Sequence, residues 1–124
     1  MPDRVVDASA IAAILFTEDG ATGVLDALRG HALYAPTVLE YELTNAAWKR
    51  TRRFPHRAHE LEQALDGLWR LPLTFRRVER QAVLRIAVSS GITAYDASYL
   101  WLARQLGAPL VTLDRKLGAI ADRR

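Results

Sequence analysis

The feature of this sequence that most limits its possible folds is the alternation of short apolar segments with segments of helical periodicity. Four apolar segments are predicted to be strands, at residues 4–6, 32–35, 72–75 and 109–113. Within them apolar residues follow one another without polar alternation, as expected of strands covered by helices on both faces. The sequence therefore predicts an α/β fold in which a short parallel sheet lies between two helical layers.

Helical periodicity fills most of the chain between and after the predicted strands. The predicted helices cover about residues 8–16, 20–30, 38–51, 61–69, 78–90, 93–107 and a last segment from residue 115. Two of these helices begin with the spacing of a capping box, Thr37 with Glu40 and Thr93 with Asp96. We therefore expect each threonine side chain to accept a hydrogen bond from a backbone N–H of the first helical turn.

Length and composition indicate one domain without covalent cross-links. The chain has 124 residues, 50% of them hydrophobic, and we expect residues 1–124 to form a single domain. It has no cysteine, which excludes both a disulfide and a thiolate-bound zinc ion. The apolar segment 8–16 follows acidic residues where a signal sequence is basic, and no segment approaches the ~20 apolar residues of a membrane span. We expect a cytoplasmic protein that does not associate with membranes.

Four of the 14 acidic residues lie where a predicted strand ends or a predicted helix begins. Asp7 and Asp114 end the first and fourth strands, whereas Glu42 and Asp96 lie in the first two turns of helices. Because ligands of an open parallel sheet bind beyond the carboxyl ends of its strands, these side chains can converge at one edge. Asp7 and Asp114 could instead serve only as N-caps, and Asp96 only as the acid of its capping box.

Glu42 has no such structural explanation, because Glu40 already occupies the acidic position of the predicted capping box. Asn45 follows one helical turn later, which places a carboxylate and a carboxamide on the same helix face. Clustered carboxylates repel one another, and a hard divalent cation with oxygen ligands relieves that repulsion. Without cysteine or a suitable histidine set, the natural ion is Mg²⁺ or Mn²⁺, and such a site suits hydrolysis of a phosphodiester.

A basic segment lies at the end of the helix that follows the second predicted strand. Residues 49–57 carry five Lys and Arg side chains and no acid, in a chain whose net charge is +3. The segment is either a solvated helix end, where the helix dipole favours cations, or an edge that binds phosphates. Under the second interpretation, the candidates for contact with a phosphate backbone are Lys49, Arg52 and Arg53.

Four motifs taken together resemble the PIN-domain nucleases, and in particular the VapC toxins of VapBC toxin–antitoxin pairs. The motifs are VVDASAI at 5–11, PTVLEYELTN at 36–45, TAYDASYLWLA at 93–103 and LVTLDRKL at 110–117. The resemblance covers nearly the whole chain. It implies a PIN-like three-layer α/β/α sandwich with a short central parallel sheet, and the activity of a metal-dependent endoribonuclease.

The resemblance also implies roles for particular residues and for partners. The metal-binding and catalytic quartet would be Asp7, Glu42, Asp96 and Asp114, with Asn45 and Thr112 as supporting polar residues. Asp96 would then cap its helix and face the metal as well. A VapB-type antitoxin, an RNA substrate and a homodimer are the partners that the resemblance implies. Many relatives end in a further short strand, for which this chain has little room after its last predicted helix.

Three other functions share features with this sequence. A phosphatase of the haloacid-dehalogenase type needs a second Asp two residues after the first, and Ser9 occupies that position. A PIN-like RNA-binding module without catalysis usually lacks one or more of the acids, whereas this chain has all four. A DNA-directed metal nuclease uses similar backbone chemistry, and the sequence leaves that alternative open.

Overall fold

A parallel sheet of four strands lies at the centre of the structure, a computed structural model in which residues 2–123 are described. The strands are β1 (Asp3–Val6), β2 (Ala32–Pro36), β3 (Leu73–Arg76) and β4 (Leu110–Val111). Their order across the sheet is β3-β2-β1-β4, and each neighbouring pair is parallel. The predicted α/β class and parallel sheet are confirmed.

β1 is an inner strand, and its sequence suits that place. Val5 and Val6 are both 0% exposed, and β1 pairs with β2 on one side and with β4 on the other. β4 is shorter than the predicted strand at 109–113. The chain leaves the ladder after Val111 because the N–H of Leu113 donates to the Ser9 hydroxyl instead of to a strand neighbour.

The helices agree with the predicted segments to within a few residues at each end. They are α1 (Ala8–Leu15), α2 (Ala21–Leu28), α3 (Val38–Arg53), α4 (Ala58–Asp66), α5 (Arg80–Ser90), α6 (Ala94–Leu106) and α7 (Arg115–Asp122). Short 3₁₀ segments, Pro55–Arg57 and Gly67–Arg70, flank α4, and the second of them ends the predicted helix 61–69 early. Among residues 2–123, no helix combines the length and the apolar composition needed to cross a membrane.

Two groups of helices pack against the sheet and against one another. α1 contacts α2 and α3, and α3 contacts α4, whereas α6 packs on β1, β2 and β4 and is itself covered by α5. The main core includes the fully buried side chains of Ile11, Leu39 and Leu43 together with β1. A smaller apolar cluster of Val83, Ala87 and Ala97 joins α5 to α6. This arrangement is an α/β sandwich.

The two predicted capping boxes differ in the structure. Thr93 has an extended backbone (φ −67°, ψ 157°), and its hydroxyl accepts a hydrogen bond from Asp96 N–H at 3.1 Å, as predicted. The prediction for Thr37 is wrong, because its backbone is already helical (φ −60°, ψ −22°) and its side chain makes no cap hydrogen bond. An N-cap side chain needs non-helical backbone angles to reach back to the first turn. Glu40 is therefore not part of a capping box.

Candidate active site

Asp7 is a buried carboxylate with several hydrogen-bond donors, located where β1 passes into α1. The side chain is 4% exposed, and its Oδ1 accepts from the N–H of Ala10 at 3.0 Å and from the Ser9 hydroxyl at 2.8 Å. Its Oδ2 accepts from the Thr112 hydroxyl at 2.5 Å. Burial raises the pKa of Asp7, these hydrogen bonds oppose the rise, and the Asp114 charge adds to it. Asp7 is therefore the N-cap of α1, as predicted, and it also accepts hydrogen bonds from two hydroxyl groups.

Ser9 and Thr112 connect Asp7 to the segment that carries Asp114. The Ser9 hydroxyl accepts from Leu113 N–H at 2.9 Å, and the Thr112 hydroxyl accepts from Asp114 N–H at 3.0 Å. Each hydroxyl thus donates to Asp7 and accepts a backbone N–H of the turn after β4. Asp114 in turn caps α7 by accepting from Leu117 N–H at 3.0 Å. Two short side chains therefore fix the first and last acids relative to each other.

Sequence reasoning used Ser9 only to exclude a phosphatase and missed its place in the site. A hydroxyl in the first turn of the helix after a strand-end aspartate is the signal that was available. Its bond to Leu113 spans 104 residues and leaves no local pattern that a sequence reading can detect.

Glu42 and Asp96 face the same region from α3 and α6. Glu42 Oε1 accepts from the hydroxyl of Tyr99 at 2.6 Å, and Tyr99 is 1% exposed. Burial is the largest cause that raises the pKa of Glu42, the Tyr99 hydrogen bond lowers it, and the charges of Asp96 and Asp7 raise it further. Burial and the Asp114 charge likewise raise the pKa of Asp96. The hydrogen bond with Thr93 and the charge of Lys116 lower it in part.

Tyr99 is a second residue that sequence reasoning missed. Burial and the Glu42 charge raise its pKa, so the phenol remains protonated and donates to the carboxylate. The available signal was a tyrosine among the apolar residues of the predicted helix 93–107, because a phenol that becomes buried normally has a hydrogen-bond partner.

The structure brings the four predicted acids together at the carboxyl edge of the sheet. Each lies close enough to two of the others for their charges to interact: Asp7 with Asp114, Asp114 with Asp96, Asp96 with Glu42, and Glu42 with Asp7. We call these four residues the acidic ring. Their mutual repulsion is a free-energy cost that a bound cation would remove.

The chemistry of the acidic ring fits a hard divalent cation that keeps part of its water shell. All four side chains offer carboxylate oxygens, the ligands that Mg²⁺ and Mn²⁺ prefer. In residues 2–123, no three His, Asp or Glu side chains converge closely enough to hold one ion together. Mg²⁺ is usually bound through one or two carboxylates and several waters. Four carboxylates that are too far apart to bind one ion directly can therefore still bind it in part through its waters.

Of the other predicted site residues, Thr112 and Asn45 adjoin this ring, and the basic segment lies further along α3. Thr112 contacts Asp7 directly, whereas Asn45 lies on the exposed surface of α3, one turn after Glu42. In the basic segment, Arg50 forms a bidentate ion pair with Glu18, at 2.7 and 2.9 Å. Arg57 is paired with Glu60. Across the described part of the chain, the exposed cations of the segment without an ion-pair partner are Lys49, Arg52 and Arg53.

Comparison with known proteins identifies the class to which this fold and site belong. The family model for the PIN domain matches residues 4–123, and the chain therefore belongs to the PIN-domain family. It is 36% identical over 118 residues to a protein named Ribonuclease VapC3 from Pyrobaculum aerophilum, which covers 91% of this chain and 90% of the relative. The family inferred from the motifs is confirmed.

Two further relatives come from the same organism. A protein named Exonuclease VapC9 is 37% identical over 84 residues, which is 62% of this chain and 58% of that protein. The crystal structure of PAE2754 superposes with a TM-score of 0.77 at 30% identity, over 95% of this chain and 84% of that one. PIN-domain nucleases of the VapC kind generally depend on a divalent metal ion.

Proposed function

We propose that this protein is the toxin of a type II toxin–antitoxin pair, a metal-dependent endoribonuclease that hydrolyses phosphodiester bonds in RNA. The observation that carries the proposal is the acidic ring, complete at the carboxyl edge of the sheet in a PIN-domain chain. The name of the ribonuclease relative supports RNA as the substrate. On this proposal residues 1–124 form a single PIN domain.

Asp7, Glu42, Asp96 and Asp114 are the catalytic residues, and together they would hold Mg²⁺ or Mn²⁺, one or two of them as direct ligands and the others through waters of the ion. When bound, the ion lowers the pKa of a coordinated water and neutralises the charge that develops on the phosphate. Asp7 is held in one orientation by its three side-chain and backbone donors. Tyr99 orients Glu42 through its hydroxyl. Asn45 offers a polar group on the exposed side of Glu42.

Ser9 and Thr112 act as positioning residues in this proposal. They touch Asp7 and the turn that carries Asp114, and they keep two acids at a fixed separation in spite of their repulsion. Lys49, Arg52 and Arg53 contact the RNA backbone, which the acidic ring alone would repel.

The partners follow from the same proposal. The VapC names of the relatives support a VapB-type antitoxin as the binding partner that restrains the toxin in the cytoplasm. A homodimer is the assembly we propose, with no membrane partner.

An exonuclease that degrades RNA from its ends is the second candidate, because one relative is named an exonuclease. The experiment is to incubate purified, antitoxin-free protein with a circular single-stranded RNA, a linear RNA of the same sequence and a circular single-stranded DNA. Each is tested with Mg²⁺, with Mn²⁺ and with EDTA. We expect both RNAs to be cut in either metal and neither in EDTA.

Each alternative has its own outcome in this experiment. Cleavage of the linear RNA alone would indicate an exonuclease, because a circle has no ends. Cleavage of the DNA circle alone would indicate a DNA-directed nuclease, and binding of RNA without cleavage in any metal would indicate a non-catalytic module. The matched control is Asp66→Asn, which removes an exposed acid from α4 and should leave cleavage unchanged.

A further inference from the structure

The outer face of α3 carries two exposed aromatic side chains among polar and cationic ones. Tyr41 is 76% exposed and Trp48 is 52% exposed. Asn45 and Arg52 continue the same line, since residues spaced by four, three and four positions lie on one face of a helix. We call these four residues the aromatic stripe. The opposite face of α3, which includes Leu39 and Leu43, is fully buried in the core.

The rings of the aromatic stripe remain accessible to solvent, Tyr41 for three quarters of its surface and Trp48 for half. Exposed aromatic side chains grouped on one face of a molecule mark a surface that binds something. The Arg52 guanidinium lies 5.0 Å from the centre of the Trp48 ring, which holds the indole in place while much of it stays accessible.

The aromatic stripe borders the acidic ring along the helix. Lys49 follows Glu42 by seven residues, which corresponds to a rotation of about 20° and a rise of about 10 Å on the same helix. Asn45 lies between Glu42 and the two rings in angle, and it is exposed. A strand that runs along α3 from a phosphate at Glu42 passes over Lys49 and beside Tyr41 and Trp48.

We propose that the aromatic stripe binds unpaired bases of a single-stranded RNA next to the phosphodiester that is cut. The bases stack on Tyr41 and Trp48, and Lys49 and Arg52 neutralise the adjoining phosphates. This inference rests on the proposed ribonuclease function and adds to it the surface on which bases of the substrate stack. Bases within an intact duplex are stacked on one another, so their faces are closed to such a surface.

The charges around the aromatic stripe favour RNA over a protein as its occupant. Two cations with no acidic partner in the described structure lie among the rings, which suits a polyanion. The surface around Trp69 provides a contrast within the same molecule. Trp69 is 71% exposed, but it lines a cavity of about 470 Å³ together with Glu40, Glu62 and Asp66, whose charges repel phosphates.

The test measures binding of a 5′-labelled, unstructured oligoribonucleotide to the full chain by fluorescence anisotropy in EDTA, so that no cleavage occurs. The variants are Tyr41→Ala and Trp48→Ala, the matched control is Trp69→Ala, and Trp48→Phe keeps a stacking ring. We expect each alanine variant on the aromatic stripe to raise Kd about tenfold. Trp69→Ala and Trp48→Phe should bind nearly as the wild type does.

A second probe and two further assays complete the test. A blunt duplex of the same sequence should lose little affinity in Tyr41→Ala or Trp48→Ala, since its bases are not available for stacking. Unfolding temperatures of all variants establish that they fold. Equal Kd values for Trp48→Ala, Tyr41→Ala and Trp69→Ala would overturn the inference. The same result with a changed oligomeric mass, or with lost antitoxin binding, would assign the face to a protein partner instead.

Failure of this inference and failure of the proposed function give different results. If the wild type cuts circular RNA and the aromatic-stripe variants bind and cut as Trp69→Ala does, only the inference about stacking is wrong. If the wild type cuts no RNA in any metal but the same variants bind it about tenfold more weakly, the proposed activity is wrong and the RNA-binding surface stands.

Discussion

The two halves of the acidic ring are built differently. The first half consists of Asp7 and Asp114, and the second half consists of Glu42 and Asp96. Asp7 and Asp114 are joined through Ser9 and Thr112, whose hydroxyls donate to the Asp7 carboxylate and accept from the backbone of the turn after β4. Glu42 has a single side-chain donor in Tyr99, and the Asp96 carboxylate lies beside Lys116 and Thr93 on a partly exposed helix end. The first half serves the fold as well as the site, whereas the second half serves mainly the site.

The largest effect should come from the second half. Asp96→Asn keeps the size of the side chain and the backbone bond to Thr93, but it removes one negative charge from the acidic ring. We expect RNA cleavage in saturating Mg²⁺ to fall by about two orders of magnitude or more. The free energy of unfolding should change by less than about 0.5 kcal/mol, measured by urea denaturation. Full activity of this variant, or of the wild type in excess EDTA, would refute the metal site.

Asp7→Ala tests the first half, where activity and stability should be lost together. The substitution removes the N-cap of α1 and the acceptor of both hydroxyls, so it should lower the free energy of unfolding by about 2 kcal/mol. Urea denaturation of the metal-free protein measures this, with Asp96→Asn as the comparison. Equal stability of the two variants would mean that the halves do not differ as described.

The basic segment lies outside both halves and should affect binding without affecting the chemistry. Arg52→Gln with Arg53→Gln should weaken RNA binding and reduce the slope of log K against log salt, by about 0.7 for each lost phosphate contact. The cleavage position should not move, because backbone contacts do not read bases. Arg29→Gln with Arg70→Gln is the matched control, since both residues are exposed cations outside the basic segment. An unchanged slope would identify the segment as a solvated helix end.

The smallest expected effect is a pH-dependent gain in stability for Glu42→Gln without metal. The folded state raises the pKa of Glu42 above its ordinary value of 4.5, so ionisation of this residue favours unfolding. The free energy of unfolding of the wild type therefore decreases as pH rises through the raised pKa of Glu42. The glutamine variant has no ionisable group at this position and keeps that free energy. The variant should be more stable at pH 7, with the difference vanishing below about pH 4, as followed by thermal unfolding.

Glu40→Gln is the control for that prediction. Glu40 lies on the same helix but outside the acidic ring, in the cavity beside Trp69, and no capping box depends on it. Its substitution should leave cleavage unchanged and should not bring the gain in stability at pH 7 that is expected of Glu42→Gln. If Glu40→Gln lost activity and Glu42→Gln kept it, the assignment of the two glutamates would be reversed.

The sequence predicted what depends on local pattern, and failed where distant contacts decide. Strand and helix periodicity, with Asp7 and Asp114 at strand ends, was sufficient to place the acids at one edge. Thr37 failed as a cap because its backbone is already helical, and from there its side chain does not reach back to the first turn. β4 ends early because of a bond to Ser9, and Tyr99 meets Glu42 across 57 residues. The four candidate site residues came from local spacing, whereas Ser9 and Tyr99 required the fold.

The long sequence separation between Asp7 and the turn that carries Asp114 has a consequence for biosynthesis. Asp7 and Thr112 are 105 residues apart, and β1 has its β4 neighbour only after residue 111 has been made. A nascent chain that has reached α6 already contains three of the acids, but it lacks Asp114 and the turn that orders Ser9. On the proposed function, a ribosome that has not yet translated Asp114 therefore carries no complete nuclease. Nuclease activity therefore arises in the cell only after translation has passed Asp114.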